Sequence, residues 1–350
     1  MRFISSQDLH NWLDQLAQEA KLIAPVEMTV ADRPGAAAPT PDGMRARFAA
    51  VSGADEIAWG YQRTAVSARE FLVPRTETLF TIETDTSGNK TLKEPVIAEA
   101  QVIFGIRPCD ARAFRVLDAV MLEQEPVDTY YAQRRQNTTL VGLSCPAMWD
   151  SCFCTSVGGA PNAREDVDIL LTAVEGGYAV DVVTDKGSTL AQTMTTADSE
   201  DMQLPEPELS ESFAVPTIEQ WLEKFDEVYW DRVGDRCLSC RACVYVCPTC
   251  RCFDVREETI KQPDGTLITR SIRTWDSCQG ANYRVVAGGA NPRAQVGQRT
   301  RNRMYCKFYY VPTDYQVEVA CVGCGRCITA CPVNIDISEV LQDVARREEA

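Results

Sequence analysis

Cysteine is the residue type that stands out for chemistry in this 350-residue chain, which carries sixteen of them. The run Cys237-Leu-Ser-Cys240-Arg-Ala-Cys243-Val-Tyr-Val-Cys247-Pro248 returns 84 residues later as Cys321-Val-Gly-Cys324-Gly-Arg-Cys327-Ile-Thr-Ala-Cys331-Pro332. Both copies read C-x2-C-x2-C-x3-C-P, the spacing that binds cubane iron–sulfur clusters. Three thiols two residues apart wrap a loop around one cube. The fourth, on the outgoing segment, reaches the other cluster in two-cluster ferredoxins, and the proline then turns the chain away. The pattern assigns Cys237, Cys240, Cys243 and Cys331 to one [4Fe–4S] cluster, and Cys321, Cys324, Cys327 and Cys247 to a second. Given one cysteine, chance supplies the other three with a probability of ~10⁻⁴, and here the run occurs twice. Zinc favours paired C-x2-C knuckles, often with histidine, and would leave one thiol of each run idle.

Eight cysteines remain. Cys109 closes a predicted strand, Val102-Ile-Phe-Gly-Ile-Arg-Pro-Cys109, and Cys145 closes the next, Leu140-Val-Gly-Leu-Ser-Cys145. Carboxyl ends of neighbouring parallel strands share one edge of an open sheet, where ligands bind. With Cys152 and Cys154 in the following loop, a third [4Fe–4S] site is expected from Cys109, Cys145, Cys152 and Cys154. Buried apolar cysteine is the competing reading. Cys250 and Cys252 flank Arg251 right behind the first run and could be drawn toward a cluster, whereas Cys278 and Cys306 are far apart with no recognisable ligand spacing. A fourth cluster from these four is an alternative that the sequence does not favour. The stretch from Arg270 to Lys307 carries eight basic residues against one acid, Asp276. It would either balance anionic clusters or form an ordinary solvated face.

The elements that must position these thiols can be read from periodicity. Leu9, Trp12, Leu13 and Leu16 follow Ser5 and Ser6 at helical spacing. Strands are expected over Thr78–Thr84, Ala100–Arg107, Thr138–Leu143, Asp168–Val174 and Tyr178–Val183. Between the second and third lies a helix, Ala111–Leu122, with Asp110 as its N-cap; this is a βαβ unit. Residues 31–43, rich in Ala, Pro and Gly, should be loop. A capping box at Thr217–Gln220 opens a helix through Trp221 and Phe225, and Ser338 is expected to cap a last helix bearing Val340, Leu341 and Val344. The acidic stretch 198–209 reads as a linker. Residues 1–210 are thus expected to form an α/β (or α+β) domain with an extra iron–sulfur site. Residues 211–350 should form a mostly α-helical, ferredoxin-like domain with two clusters and a long insert at 253–320.

Net charge is −15, divided as 18 basic against 36 acidic residues over 1–230 and 17 against 14 over 231–350. That acidity argues against nucleic acid. No apolar run is long enough to cross a bilayer, and no signal-peptide pattern appears at the N-terminus, so a cytoplasmic location is expected, where thiols hold metal more often than they pair. A single histidine, His10, leaves little room for acid–base or His-zinc chemistry. There is no dinucleotide fingerprint and no phosphate loop, so no catalytic residue is assigned.

Several segments resemble a known family, the iron–sulfur β subunits of cytosolic sulfhydrogenases (hydrogenase/sulfur reductase) together with the corresponding iron–sulfur subunits of anaerobic sulfite reductases. They are Phe71-Leu-Val-Pro-Arg-Thr-Glu77, Phe104-Gly-Ile-Arg-Pro-Cys-Asp110, Cys145 through Ser156, Cys247-Pro-Thr-Cys-Arg-Cys-Phe253 and the run at Cys321. The resemblance spans about residues 70–337; it departs where the family is expected to read His-Lys-Phe and this chain has Cys306-Lys-Phe. It implies an anaerobic electron-transport subunit, itself non-catalytic. Such a subunit passes electrons between two partners, a FAD- and NAD(P)H-binding subunit on one side, a hydrogenase or reductase catalytic subunit on the other. It also implies a cluster in the N-terminal half. The alternative, an iron–sulfur redox or oxygen sensor, would need a nucleic-acid or signalling module of which the sequence has no sign.

Overall fold

A computed structural model describes residues 1–28, 46–97, 99–199 and 202–346. Its strands, in chain order, begin with β1 (Arg2–Ser5), β2 (Lys21–Glu27), β3 (Ala46–Ala50), β4 (Thr76–Thr84), β5 (Lys90–Lys93) and β6 (Gln101–Ile106). They continue with β7 (Thr138–Leu143), β8 (Ile169–Val174), β9 (Gly177–Val182), β10 (Ala197–Asp198), β11 (Phe253–Lys261) and β12 (Leu267–Trp275). The helices are α1 (Ser6–Glu19), α2 (Pro108–Met121), α3 (Thr129–Gln136), α4 (Asp185–Ala191), α5 (Ile218–Glu223) and α6 (Tyr229–Arg236). After them come α7 (Ala242–Tyr245), α8 (Val296–Tyr305), α9 (Val311–Tyr315), α10 (Arg326–Thr329) and α11 (Ile337–Ala345).

Among the described residues one mixed sheet has eight strands in the order β10-β1-β9-β8-β7-β6-β2-β3. Its middle, β2-β6-β7-β8, is parallel, and β6 and β7 are buried nearly throughout, as strands covered on both faces must be. The five strands expected from the sequence are all present. β1, β2, β3, β5, β10, β11 and β12 lie outside that expectation: β1, β5 and β10 are too short for an alternating pattern to register, and β2 carries Pro25. The α1 helix forms as its periodicity requires. Ser5 accepts from the Asp8 amide at 3.0 Å, and Leu9, Trp12, Leu13 and Leu16 are buried.

Two caps differ from expectation. Helix α2 starts at Pro108, after Arg107, because proline is favoured in the first turn of a helix, where its missing N–H costs nothing. Asp110 therefore lies inside α2, 1 % exposed, where it pairs with Arg326 instead of capping. Helix α11 is capped by Asp336, whose carboxylate accepts from the Ser338 amide at 2.7 Å. The Thr217–Gln220 capping box is formed as expected. Residues 31–43 lie outside the described residues.

The C-terminal part is not mostly helical. It contributes the nine-residue strands β11 and β12 to a second, antiparallel sheet of order β11-β12-β4-β5. β12 pairs with β4 along nearly its whole length, Leu267 opposite Thr84 through Thr274 opposite Thr76. Arg273 of β12 bonds both Glu77 of β4 (2.6 Å) and Asp128, the N-cap of α3. The division at residue 210 is thus bridged by a shared sheet. A C-terminal aromatic core, with Trp221 stacked on Phe308 at 5.6 Å and edge-on to Tyr305 at 5.0 Å, holds α5, α8 and α11 together.

Candidate iron–sulfur sites

The two cysteine runs fold into the same loop. Ser239 and Gly323 take φ of 51° and 63°, and Arg241 and Gly325 each take φ of 67°, before the one-turn helices α7 and α10. Left-handed backbone at non-glycine Ser239 and Arg241 is costly. It persists because the loop must curl its amides toward one centre. The Ser239 amide donates to the Cys237 sulfur at 3.4 Å and the Ile335 amide to the Cys331 sulfur at 3.2 Å.

Cys237, Cys240, Cys243 and Cys331 line one cavity together, joined by Cys327, Arg303 and Gln279. Cys321, Cys324, Cys327 and Cys247 are mutual electrostatic neighbours. The thiols thus gather crosswise, with the last cysteine of each run beside the first three of the other. Burial raises the Cys243, Cys321, Cys324 and Cys327 thiols, Cys243 to about 11, whereas hydrogen bonding from Cys250 and the nearby Lys307 hold Cys247 well below the ordinary thiol value. Apolar surroundings disfavour the thiolate until a cationic group arrives.

In the N-terminal half, Cys109 stands in the first turn of α2, while Cys145, Cys152 and Cys154 lie in the loops after β7. Cys145, Cys152 and Cys154 act on one another electrostatically, and Cys109 on Cys145 and Cys324. Burial pushes the Cys154 thiol up to about 12. This set sits directly on the second run. The Phe153 amide donates to the Gly323 carbonyl at 2.8 Å, and a Cβ on Gly323 would stand 2.6 Å from the Cys154 backbone. Arg63 fastens the junction, donating to the Cys324 carbonyl, to Thr329 Oγ1 at 3.1 Å and to the Cys152 sulfur at 3.7 Å.

Whether these residues fit an anionic cluster can be judged from the buried cations. Arg303 is 5 % exposed, its Nε has no acceptor, and no carboxylate pairs with it among the described residues. Burial works against its charge, yet Cys243, Cys327 and Cys247 hold it well above the ordinary arginine value. An uncompensated buried charge is expensive, so the surroundings call for an anion, and a cluster with four thiolates is one. Arg299, Arg303 and Lys307 repeat every four residues along α8 and its π-helical continuation Cys306–Tyr310, facing the cysteine loops in turn. Their spacing was visible in the sequence, but the stripe's target was not. Arg270 lies exposed on the second sheet, so the basic stretch serves both readings. By contrast Arg326, beside Cys324 and Cys109, is matched by a bidentate pair to Asp110 at 2.6 Å.

Among the described residues no three Cys, His, Asp or Glu side chains converge tightly enough to hold a single ion. His10 is stacked on Trp59 at 4.4 Å, in the N-terminal core and away from the thiols. No helix among the described residues is long and apolar enough to cross a membrane.

Residues 236–335 match the family model of a 4Fe-4S dicluster domain. Over 315 residues the chain is 31 % identical to sulfhydrogenase 2 subunit beta of Pyrococcus furiosus, covering 85 % of this chain and 88 % of that protein. No solved structure matches.

Proposed function

The chain belongs to the sulfhydrogenase β-subunit family, and on that premise we propose that it is a cytoplasmic relay. It would carry single electrons between a flavin subunit that handles NAD(P)H and a catalytic subunit that reduces protons, sulfur or sulfite. Iron–sulfur clusters, when bound, supply one-electron chemistry with little rearrangement. Two would be held by the crosswise ferredoxin sets and a third by Cys109, Cys145, Cys152 and Cys154.

The observation that carries this reading is contiguity. Cys243 and Cys327 meet around Arg303, and Cys324 meets Cys109 beside Arg326, so each thiol set touches the next. The protein's own part is to aim amides at sulfur and hold Arg303 as an internal counter-charge, with the second set more buried than the first, whose Cys240 is exposed. Arg63 keeps the N-terminal set in register with the second run.

The test is reconstitution under anaerobic conditions. The full chain alone should give no NAD(P)H-dependent reduction of methyl viologen, and adding its flavin subunit should allow NAD(P)H to reduce the chain's clusters. Turnover of NAD(P)H by the chain alone would overturn the assignment.

A further inference from the structure

Four thiols stand outside the sets described so far. Cys250 and Cys252 follow Pro248 at the exit of the first run, Cys278 follows β12, and Cys306 opens the π-helical turn after α8. Nothing in their spacing unites them, but the fold does. Cys250 and Cys278 are buried together with Val244, and Cys252 and Tyr283 pack against them. Cys306, whose side chain packs against Val311 and Ala320 next door, lies within electrostatic reach of Cys278.

The backbone here is pinned. The Asp276 amide donates to the Cys252 carbonyl at 2.9 Å, and Arg69 donates to the Cys250 carbonyl. The composition repeats that of the N-terminal set: one C-x-C pair in a loop, and two single cysteines brought from other elements.

Lys307 adds an independent observation. It is 2 % exposed, its ammonium donates to Thr249 Oγ1 at 2.7 Å, and no carboxylate pairs with it among the described residues. Its electrostatic neighbours are the thiols of Cys247, Cys250 and Cys306 and one further cation, Arg251. A buried ammonium without an acid needs another anion nearby.

We propose that Cys250, Cys252, Cys278 and Cys306 hold a fourth [4Fe–4S] cluster, with Lys307 as its counter-charge. An all-sulfur donor set selects soft metal centres, zinc or iron–sulfur, and the likeness to the N-terminal set points to iron–sulfur. Because Cys250 touches Cys247, the second run becomes a junction. It adjoins the first site through Cys327, the N-terminal site through Cys324 and this one through Cys247, so the relay branches.

This inference rests on the relay reading, and one measurement separates the two. The full chain, purified anaerobically, should hold about sixteen irons and as many sulfides. The Cys252→Ser/Cys278→Ser double variant and, separately, Cys306→Ala should each fall to about twelve, with the Mössbauer signals of the other clusters retained. A wild-type count of about twelve, or one zinc per chain that the variants lose, overturns the fourth site and leaves the relay standing. A wild type without iron overturns both. The wild-type count decides even if the variants fail to fold.

Discussion

At the scale of single residues, the sites depend on buried cations and left-handed backbone. Replacing Arg303 with Met removes a positive charge that Cys243, Cys327 and Cys247 share. An anionic cluster gains a further negative charge on reduction, so the midpoint potentials of the two ferredoxin clusters should fall, by about 50–100 mV, or roughly 1–2 kcal/mol for one electron. An EPR-monitored redox titration measures this; unchanged potentials would mean that the arginine plays no electrostatic part. Gly323 and Ser239 make a matched pair. Gly323→Ala sets a Cβ 2.6 Å from the Cys154 backbone and should destabilise the fold by about 2–4 kcal/mol, with iron lost from the N-terminal site. Ser239→Gly, at φ 51°, should instead stabilise by about 1 kcal/mol. Chemical unfolding of the two variants, with iron counts, checks both. The ferredoxin ligands were legible at this scale because their spacing is local. Arg63, Arg303 and Lys307 were not, since nothing in a basic residue's neighbours says that it will be buried beside sulfur.

At the scale of elements, the second sheet depends on a small charged knot. Arg273 on β12 holds Glu77 on β4 and Asp128 at the start of α3. Desolvation opposes the Asp128 charge, but hydrogen bonds from Arg273 and the Tyr131 amide hold its carboxyl below the ordinary aspartate value. A depressed folded-state pKa gives stability that is present above the unfolded value and lost as pH falls through the folded one. Acidification below about pH 4 should therefore loosen this sheet. Asp128→Asn keeps a capping side chain but removes the charge, and should cost up to about 3 kcal/mol while flattening that acid dependence. Hydrogen exchange along β12 against pH reports it, and an unaltered profile would place the acid lability elsewhere. The parallel strands β6, β7 and β8 were readable as apolar runs. The β12–β4 pairing was not, because it joins segments nearly two hundred residues apart and both strands carry charge on their faces.

At the scale of the whole molecule, the sequence suggests two separable halves, and the structure ties them at several points. β12 loses one of its two partners without β4. Arg326, fully buried, loses Asp110, and the carbonyls of Cys250 and Cys324 lose Arg69 and Arg63. Breaking a buried ion pair alone costs about 3–5 kcal/mol, comparable with the whole stability of a small domain. Residues 211–350 expressed alone should therefore lack cooperative unfolding and stable cluster retention. A sharp thermal transition with about eight irons in that fragment would show that the ferredoxin part is self-sufficient. The same ties explain how the N-terminal thiols come to lie against the second run: Phe153 and Gly323 share a backbone hydrogen bond across the nominal boundary.

The sequence by itself determined the repeated cysteine runs of a dicluster domain and the parallel strand–helix–strand around Cys109. Each of these is encoded over a few residues or one helical period. Only the tertiary structure decided where the N-terminal thiols lie relative to the second run, that two halves share a sheet, and that Cys250, Cys252 and Cys278 pack together close to a buried lysine. Those contacts join residues far apart in the chain. Whether they form depends on chain closure and on burial of charge, and local spacing carries no record of either.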